Sequence, residues 1–391
     1  MLHRKLKVSI TTLSFLALCQ MGHTADLSIG DPDSKEGELK LSGFLRAKYE
    51  DKGWSKNDQK LTFDAAKFNL DYQSSLMFGH IEYRCYQFDK LCDFSALVDG
   101  YVGYKINPSN KITVGLQPMP FGPGRFWESN NYGGIVTQVG LEDVHNVGIN
   151  YNTTLFKNTD IDLGFFPTDG GNYHGKSVDS ARYSSNFVEP DPSSEIQTYL
   201  QEKNMWAARV NHKFKLNDPD FTASLGGSYW YADVKNKTNN ETGDHQAWAL
   251  FSQLGYQNFQ VTVTGGHHKI DNKDPIFPNV SVAGSFDYYN YLANEGDFYT
   301  VDMSYAFKDV GKIGTITPYA MYSAYDKKGS YKTSTRNIIG VSLDHKSLGF
   351  TAEYIMGKND LLIGGNEYSL AQGNIGDKTQ HLLKLTAAYR F

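Results

Sequence analysis

His381-Leu382-Leu383-Lys384-Leu385-Thr386-Ala387-Ala388-Tyr389-Arg390-Phe391 closes the chain. Phe391, Tyr389, Ala387, Leu385 and Leu383 occupy every second position, with Arg390, Ala388, Thr386, Lys384 and Leu382 between them. Successive side chains of a strand point to opposite faces, so the segment reads as a strand with one apolar, aromatic face and one mostly wettable face. A soluble edge strand can show such alternation, but it rarely ends the chain on an aromatic residue.

Alternation ending in a terminal Phe resembles the closing strand that bacterial outer-membrane barrels present to their assembly machinery, with Tyr389 and Phe391 as the signal. The other end of the chain agrees. Arg4, Lys5 and Lys7 precede an apolar stretch from Val8 to Met21 and small residues around Ala25, the layout of a secretory signal peptide over residues 1–25. That stretch is too short for a confident transmembrane helix. Leu16-Ala17-Leu18-Cys19 faintly resembles a lipoprotein box, but Leu18 is too large for the position before a lipidated Cys. Removing the peptide takes away three basic residues and no acid, moving the formal charge from −5 to about −8.

No run of about eighteen apolar residues follows residue 25, so no spanning helix is expected. A barrel does not need one, because only alternate strand residues meet lipid. The 26 Tyr and 23 Phe suit two interfacial girdles. Candidate strands fall near 38–49, 61–73, 75–86, 94–106, 111–118, 143–152, 159–167, 204–215, 220–233, 245–257, 258–270, 297–307, 312–326, 335–345, 347–357 and 379–391. Tight connections such as Gln73-Ser74, Asn107-Pro108-Ser109-Asn110 and Gln257-Asn258 alternate with long segments such as 119–142 and 168–203. The fold expected is all-β: a transmembrane antiparallel up-and-down barrel of about 16 strands with long external loops and short periplasmic turns. Residues 26–37 read as a short periplasmic lead-in and 38–391 as the barrel, in the bacterial outer membrane.

Assigning the apolar face to lipid leaves the other face for the lumen. Leu39, Leu41, Leu45, Tyr49, Met77, Ile81, Tyr83, Val98, Val102, Tyr104, Trp206, Val210 and Phe214 then point out. The basic residues pointing in are Lys40, Arg46, Lys48, Arg84, Lys105, Lys111, Arg209, Lys213, Lys384 and Arg390. Closure of first strand on last should set Lys40, Arg46, Lys48, Lys384 and Arg390 on one stretch of wall. Asp71, Glu82, Asp99, Asp162, Asp302, Asp344 and Glu353 also point in, and some of these charges would pair across strands. Net basic excess in a narrow aqueous passage would favour anions weakly. The third long segment carries Arg125, Glu128 and Glu142 among glycines, prolines and aromatics. Its composition suits either a constriction folded into the barrel or a cover over the mouth. Cys85 and Cys92 flank the second long connection, and in an oxidising periplasm a disulfide between them is expected.

Val114-Gly115-Leu116-Gln117-Pro118-Met119-Pro120-Phe121-Gly122 and Val139-Gly140-Leu141-Glu142-Asp143-Val144-His145-Asn146-Val147-Gly148-Ile149 resemble the phosphate-selective porin O/P-like family. Tyr183-Ser184 and Gln201-Glu202-Lys203-Asn204 are similar to it too. The resemblance covers roughly the first half of the mature chain. It implies a sixteen-stranded porin, commonly a homotrimer, with the third loop inside the barrel. Phosphate-selective members line the lumen with arginines, whose guanidinium forks match phosphate oxygens. This mature chain has only seven arginines in no evident ladder, so the resemblance supports a channel more than that solute.

The function expected is a water-filled channel for passive diffusion of small hydrophilic solutes and ions, with weak anion preference. Alternatives are a solute-specific channel for phosphate or carbohydrate, or a barrel adhesin or outer-membrane enzyme. His267 and His268 point opposite ways on a strand and cannot easily share a metal, and no catalytic motif is evident. No enzyme activity, cofactor, metal or nucleic acid is expected. The expected partners are outer-membrane lipid and lipopolysaccharide, the barrel-assembly machinery, further copies of the chain and the solutes.

Overall fold

The structure, a computed structural model, describes residues 27–56, 58–170, 182–286, 288–374 and 378–391. The signal peptide expected over 1–25 lies outside the described residues. β1 (Leu27–Asp31) precedes seven long strands: β2 (Gly37–Lys52), β3 (Gln59–Gln73), β4 (Met77–Tyr86), β5 (Phe94–Asn107), β6 (Asn110–Pro118), β7 (His145–Leu155) and β8 (Thr159–Thr168). A one-turn helix, α1 (Val136–Val139), lies between β6 and β7. After β9 (Arg182–Phe187) come β10 (Leu200–Lys213), β11 (Phe221–Asn236), β12 (Thr242–Tyr256) and β13 (Phe259–Ile270). Beyond β14 (Val280–Phe286) and β15 (Tyr288–Ala293) follow β16 (Glu295–Tyr305), β17 (Phe307–Val310), β18 (Gly314–Lys327), β19 (Ser334–His345), β20 (Leu348–Lys358) and β21 (Thr379–Arg390).

The wall is a closed sixteen-strand antiparallel barrel, in which the short β17 continues β16 along β18. Each strand pairs with its sequence neighbour in the wall, and β21 closes on β2 from Phe44↔Arg390 to Lys52↔Leu382. Gly43 and Phe391 exchange backbone hydrogen bonds of 2.9 and 3.1 Å at the seam. Below that point β21 ends, and β1 pairs with β2 from Leu27↔Leu41 to Asp31↔Gly37. Part of the expected lead-in is thus a strand that covers a row of backbone groups otherwise left open.

The wall strands lie within a few residues of where the alternation places them, the long segments 168–203 and 271–296 hold the additional strands β9, β14 and β15, and the outer face is apolar. Leu39, Leu45, Ile81, Val102, Trp206 and Val210 are all exposed there. Phe214, Phe221, Tyr256, Phe259, Tyr305 and Phe307 flank short turns and are exposed, as aromatics at a membrane interface are. This belt on a closed barrel is that of an outer-membrane protein. No helix among the described residues is long and apolar enough to cross a membrane.

Of the register shifts in the wall, two move residues away from the faces that strict alternation gives them. On β5 the register steps from Glu82↔Asp99 to Tyr83↔Leu97, so Val98, expected against lipid, turns inward and is buried while Leu97 takes the outer place. On β3 it steps from Arg46↔Ala65 to Ala47↔Phe63, and the extra residue, Asp64, is carried into the lumen. An inserted residue in one strand shifts the facing of all that follows, which a period of two does not foresee.

At the long-loop end, β9, β14 and β15 form a separate three-stranded sheet. Val188, Ile196, Val280, Val282, Tyr291 and Ala371 pack beneath it as a small core of their own.

Candidate functional site: a narrowed passage inside the barrel

The third loop, residues 119–144, enters the barrel. Met119, Phe121, Trp127, Ile135, Val136, Val139, Leu141 and Val144 join wall residues such as Trp230, Ala247 and Phe298 in one buried cluster. The loop therefore lies against the inner wall of β10 to β18 as a packed element. Gly122 makes its first bend at φ +69°, and a Cβ there would strike the Trp127 ring.

Wall side chains hold it in place. Ser228 Oγ accepts from the Gly122 N–H at 2.9 Å, and Ser323 Oγ from that of Ile135 at 3.0 Å. Ser129 donates to Asp302 at 3.0 Å, and Glu353 accepts from the Asn131 N–H at 3.0 Å. Arg336, fully buried, donates to the carbonyls of Gly133 (3.0 Å) and Gly134 (3.2 Å) while a bidentate pair with Asp360 (2.6 and 2.7 Å) balances its charge.

Arg125 is the loop's ionic anchor. It reaches Asp143 at 2.7 Å, Glu82 at 3.0 and 3.1 Å and Asp99 at 3.0 Å. His145 bridges Asp99 (2.7 Å) and Asp143 (2.8 Å) beside it. Burial works against ionising Asp143, but the His145 and Arg125 contacts outweigh it and hold its carboxyl below the usual range. Ligand atoms of His80, Glu82 and Asp99 fall within 4.8 Å of one another, the spacing of a metal site. The Arg125 guanidinium already bonds both acids, so this centre holds a cationic side chain.

Glu128 and Glu142 form a different pair. Glu142 Oε1 accepts the Trp127 N–H at 2.9 Å, and the two carboxyls face each other across the loop. Burial pushes Glu128 up to about 7 and, with the repulsion of Glu128, pushes Glu142 well above the carboxylate range. Two carboxyls so placed share a proton rather than ionise together.

The space left open is a passage of about 840 Å³ running beside β2, β3, β4 and β21. Arg46, Lys48, Asp64, Lys67, Arg84 and Lys384 line the wall side. Phe126, Glu128, Tyr132, Glu142 and Asp143 line the loop side. Tyr86, Phe88, Tyr183, Phe286 and Tyr288 line the outer mouth, with ring centroids 5.6 Å apart for Tyr86–Phe286 and 5.8 Å for Tyr183–Phe286. Phe88 sits between Cys85 and Cys92, whose Sγ atoms are 2.05 Å apart with Cα atoms at 4.9 Å.

The expected basic residues divide. Arg46, Lys48 and Lys384 gather on the passage wall, Arg84 follows on β4, and Arg84 Nε pairs with Glu82 at 2.5 Å. Lys40 and Arg390 do not join them. Arg390 pairs with Asp344 at 2.5 Å near the short turns, and Lys40 stands opposite Asp71. Lys40 is six residues from Arg46, roughly 20 Å along a strand, so one face does not mean one level. Lys105 donates to the Ser74 carbonyl at 2.8 Å, and Lys111 lies 5.9 Å from the Phe78 ring. Arg209 binds Asp162 (2.9 Å) and the Pro123 carbonyl (3.2 Å), and Lys213 binds Asp160 at 2.9 Å. Lys67 and Glu50 were legible from the alternation but not singled out, whereas nothing local marks Asp64, Tyr132 or Arg336.

No protein-family model matches the chain, and no curated protein does. Solved structures do. The outer membrane channel DcaP of Acinetobacter baumannii superposes with TM-score 0.61 at 13% identity, over 93% of this chain and 100% of that one. The trimer form of OmpT, an outer membrane protein of Vibrio cholerae, gives 0.54 at 13% identity over 92% and 100%. An anion-selective porin from Comamonas acidovorans gives 0.53 at 12% identity over 90% and 99%. At such identities the likeness is one of fold, and that fold is the barrel of the outer-membrane porins.

Proposed function

We propose that the protein is a porin that passes small hydrophilic solutes and ions by diffusion, with a weak preference for anions. One observation carries this reading. The inward acids Glu82, Asp99, Asp302 and Glu353 are all engaged in holding the third loop, while Arg46, Lys48, Lys67 and Lys384 outnumber Glu50 and Asp64 on the wall side of the passage. Glu128 and Glu142, sharing a proton, give the opposite side less negative charge than two carboxylates would. Fixed charge biases ions within about one Debye length, near 8–10 Å at ordinary salt, so the preference should fade as salt rises. Reversal potentials in a salt gradient across planar bilayers test it. Weak anion preference at low salt is expected, and clear cation preference, or no conductance, would refute it.

A carbohydrate-specific channel is a second reading, favoured by the aromatic rings of Phe44, Tyr86, Phe88, Phe126 and Tyr132 along the passage. Saturable block of ion current by a sugar would select it. Phosphate specificity is less well supported, since carboxylates stand among the few arginines. Cys85–Cys92 belongs to this reading as the staple of the loop that carries Phe88 to the mouth, and Tyr389 and Phe391 as the mark read by the assembly machinery. The assembly we infer is a homotrimer held in lipid and lipopolysaccharide.

A further inference from the structure

Among the described residues, Asp64 is the acid on the wall side of the passage that reaches the lumen through a register fault. Its place in the β3 bulge sets it beside Arg46, to whose Nε its Oδ2 is bonded, and 3.5 Å from Lys48 Nζ. Lys384 of β21, in register with Glu50, lines the same passage as Asp64, and its Nζ lies 4.9 Å from the Tyr132 ring centroid. Among the described residues Lys384 has no carboxylate within ion-pairing distance. Two cations of β2 thus hold one carboxylate, and a third, Lys384 of β21, stands along the same stretch of passage. Glu50, 3.4 Å from Lys48, is the second acid of the group.

The geometry is that of an oxyanion site already filled. Guanidinium and ammonium groups set around a two-oxygen anion are what a protein uses to bind a carboxylate or phosphate from solution. Here the occupant is part of the chain. Asp64 is almost fully buried, while Arg46 and Lys48 each keep 17% of their side chains in contact with the passage. Water therefore reaches the cations, and a solute anion would meet them with their charge largely spent.

We propose that Asp64 is a tethered counter-anion: it occupies the oxyanion site formed by Arg46, Lys48 and Lys384 and so makes the passage weakly rather than strongly anion-preferring. With its charge removed, those three groups would bind a mobile oxyanion such as inorganic phosphate. Three cations against two carboxylates become three against one. The inference rests on the channel reading above and specifies which residue sets its selectivity.

The test compares wild type, Asp64→Asn and Asp64→Glu in planar bilayers at low salt, with inorganic phosphate as the added probe. Asp64→Asn should raise the anion-to-cation permeability ratio several-fold, about three- to ten-fold. Phosphate should then reduce its chloride current in a saturable way, with little effect on wild type or Asp64→Glu. A folded Asp64→Asn protein, judged by unchanged heat-modifiable migration, that keeps the wild-type reversal potential and ignores phosphate overturns the proposal. Asp64→Ser replaces Asn if the latter does not insert, under the same criteria. Wild type without conductance, or with cation preference, would instead overturn the channel reading itself.

Discussion

Glu128 and Glu142 show how a residue pair makes the constriction sensitive to pH. Burial raises both, Glu128 from 4.5 to about 7 with Asp302 adding to it, and repulsion by Glu128 raises Glu142 further. A carboxyl raised on folding binds its proton more tightly in the folded state, so its contribution is full below about 4.5 and is lost as pH rises through about 7. The seated loop should therefore be most stable in acid and weaken toward pH 8. Current noise and thermal unfolding followed from pH 5 to 8 should show wild type loosening and Glu142→Gln nearly unchanged. A wild type as flat as the variant would mean that the pair does not hold a proton in this range.

The third loop is the element that fills much of the barrel, and its seat depends on the wall more than on its own sequence. Arg336 is the clearest case, because one buried guanidinium satisfies two loop carbonyls and both oxygens of Asp360. Arg336→Met removes those bonds and leaves Asp360 an unpaired buried charge, a loss of about 3–5 kcal/mol. The variant should still form a barrel, since ladder pairing between β18, β19 and β20 is untouched. Its single-channel conductance should rise and fluctuate as the loop leaves its seat. Conductance and noise equal to wild type would place the anchor elsewhere, in the apolar cluster around Trp127.

At the scale of the whole molecule, closure of β21 on β2 leaves an apolar outer surface of the kind that faces lipid. The homotrimer predicts that crosslinking in intact outer membranes gives dimer and trimer bands that persist on dilution of the cells. Monomer bands alone would remove it. The charge pattern of the passage does not depend on that outcome, because every group in it lies inside one barrel.

Strand number and most of the lipid face were legible in the chain, and strand ends to within a few residues, as in 204–215 expected against Leu200–Lys213, because a period of two and a turn are local properties. Arg46, Lys48, Arg84 and Lys384 could be assigned inward for the same reason. Where they stand along the pore could not, since a face says nothing of depth, and Arg390 and Lys40 lie at another level. The composition of residues 119–142 allowed an inserted loop or a cover. Burial of Met119, Phe121 and Trp127 against Trp230 and Phe298 decided it, a contact between residues over a hundred positions apart. Asp64 and Val98 escaped because a bulge is settled by how two paired strands fit, not by either strand alone. The sequence by itself determined a barrel with a charged interior. Tertiary structure decided which charges face water, because Arg125 and the rest of the seated loop occupy Glu82, Asp99, Asp302 and Glu353, while Arg46, Lys48, Lys67 and Lys384 line the open passage with only Glu50 and Asp64 among the wall acids.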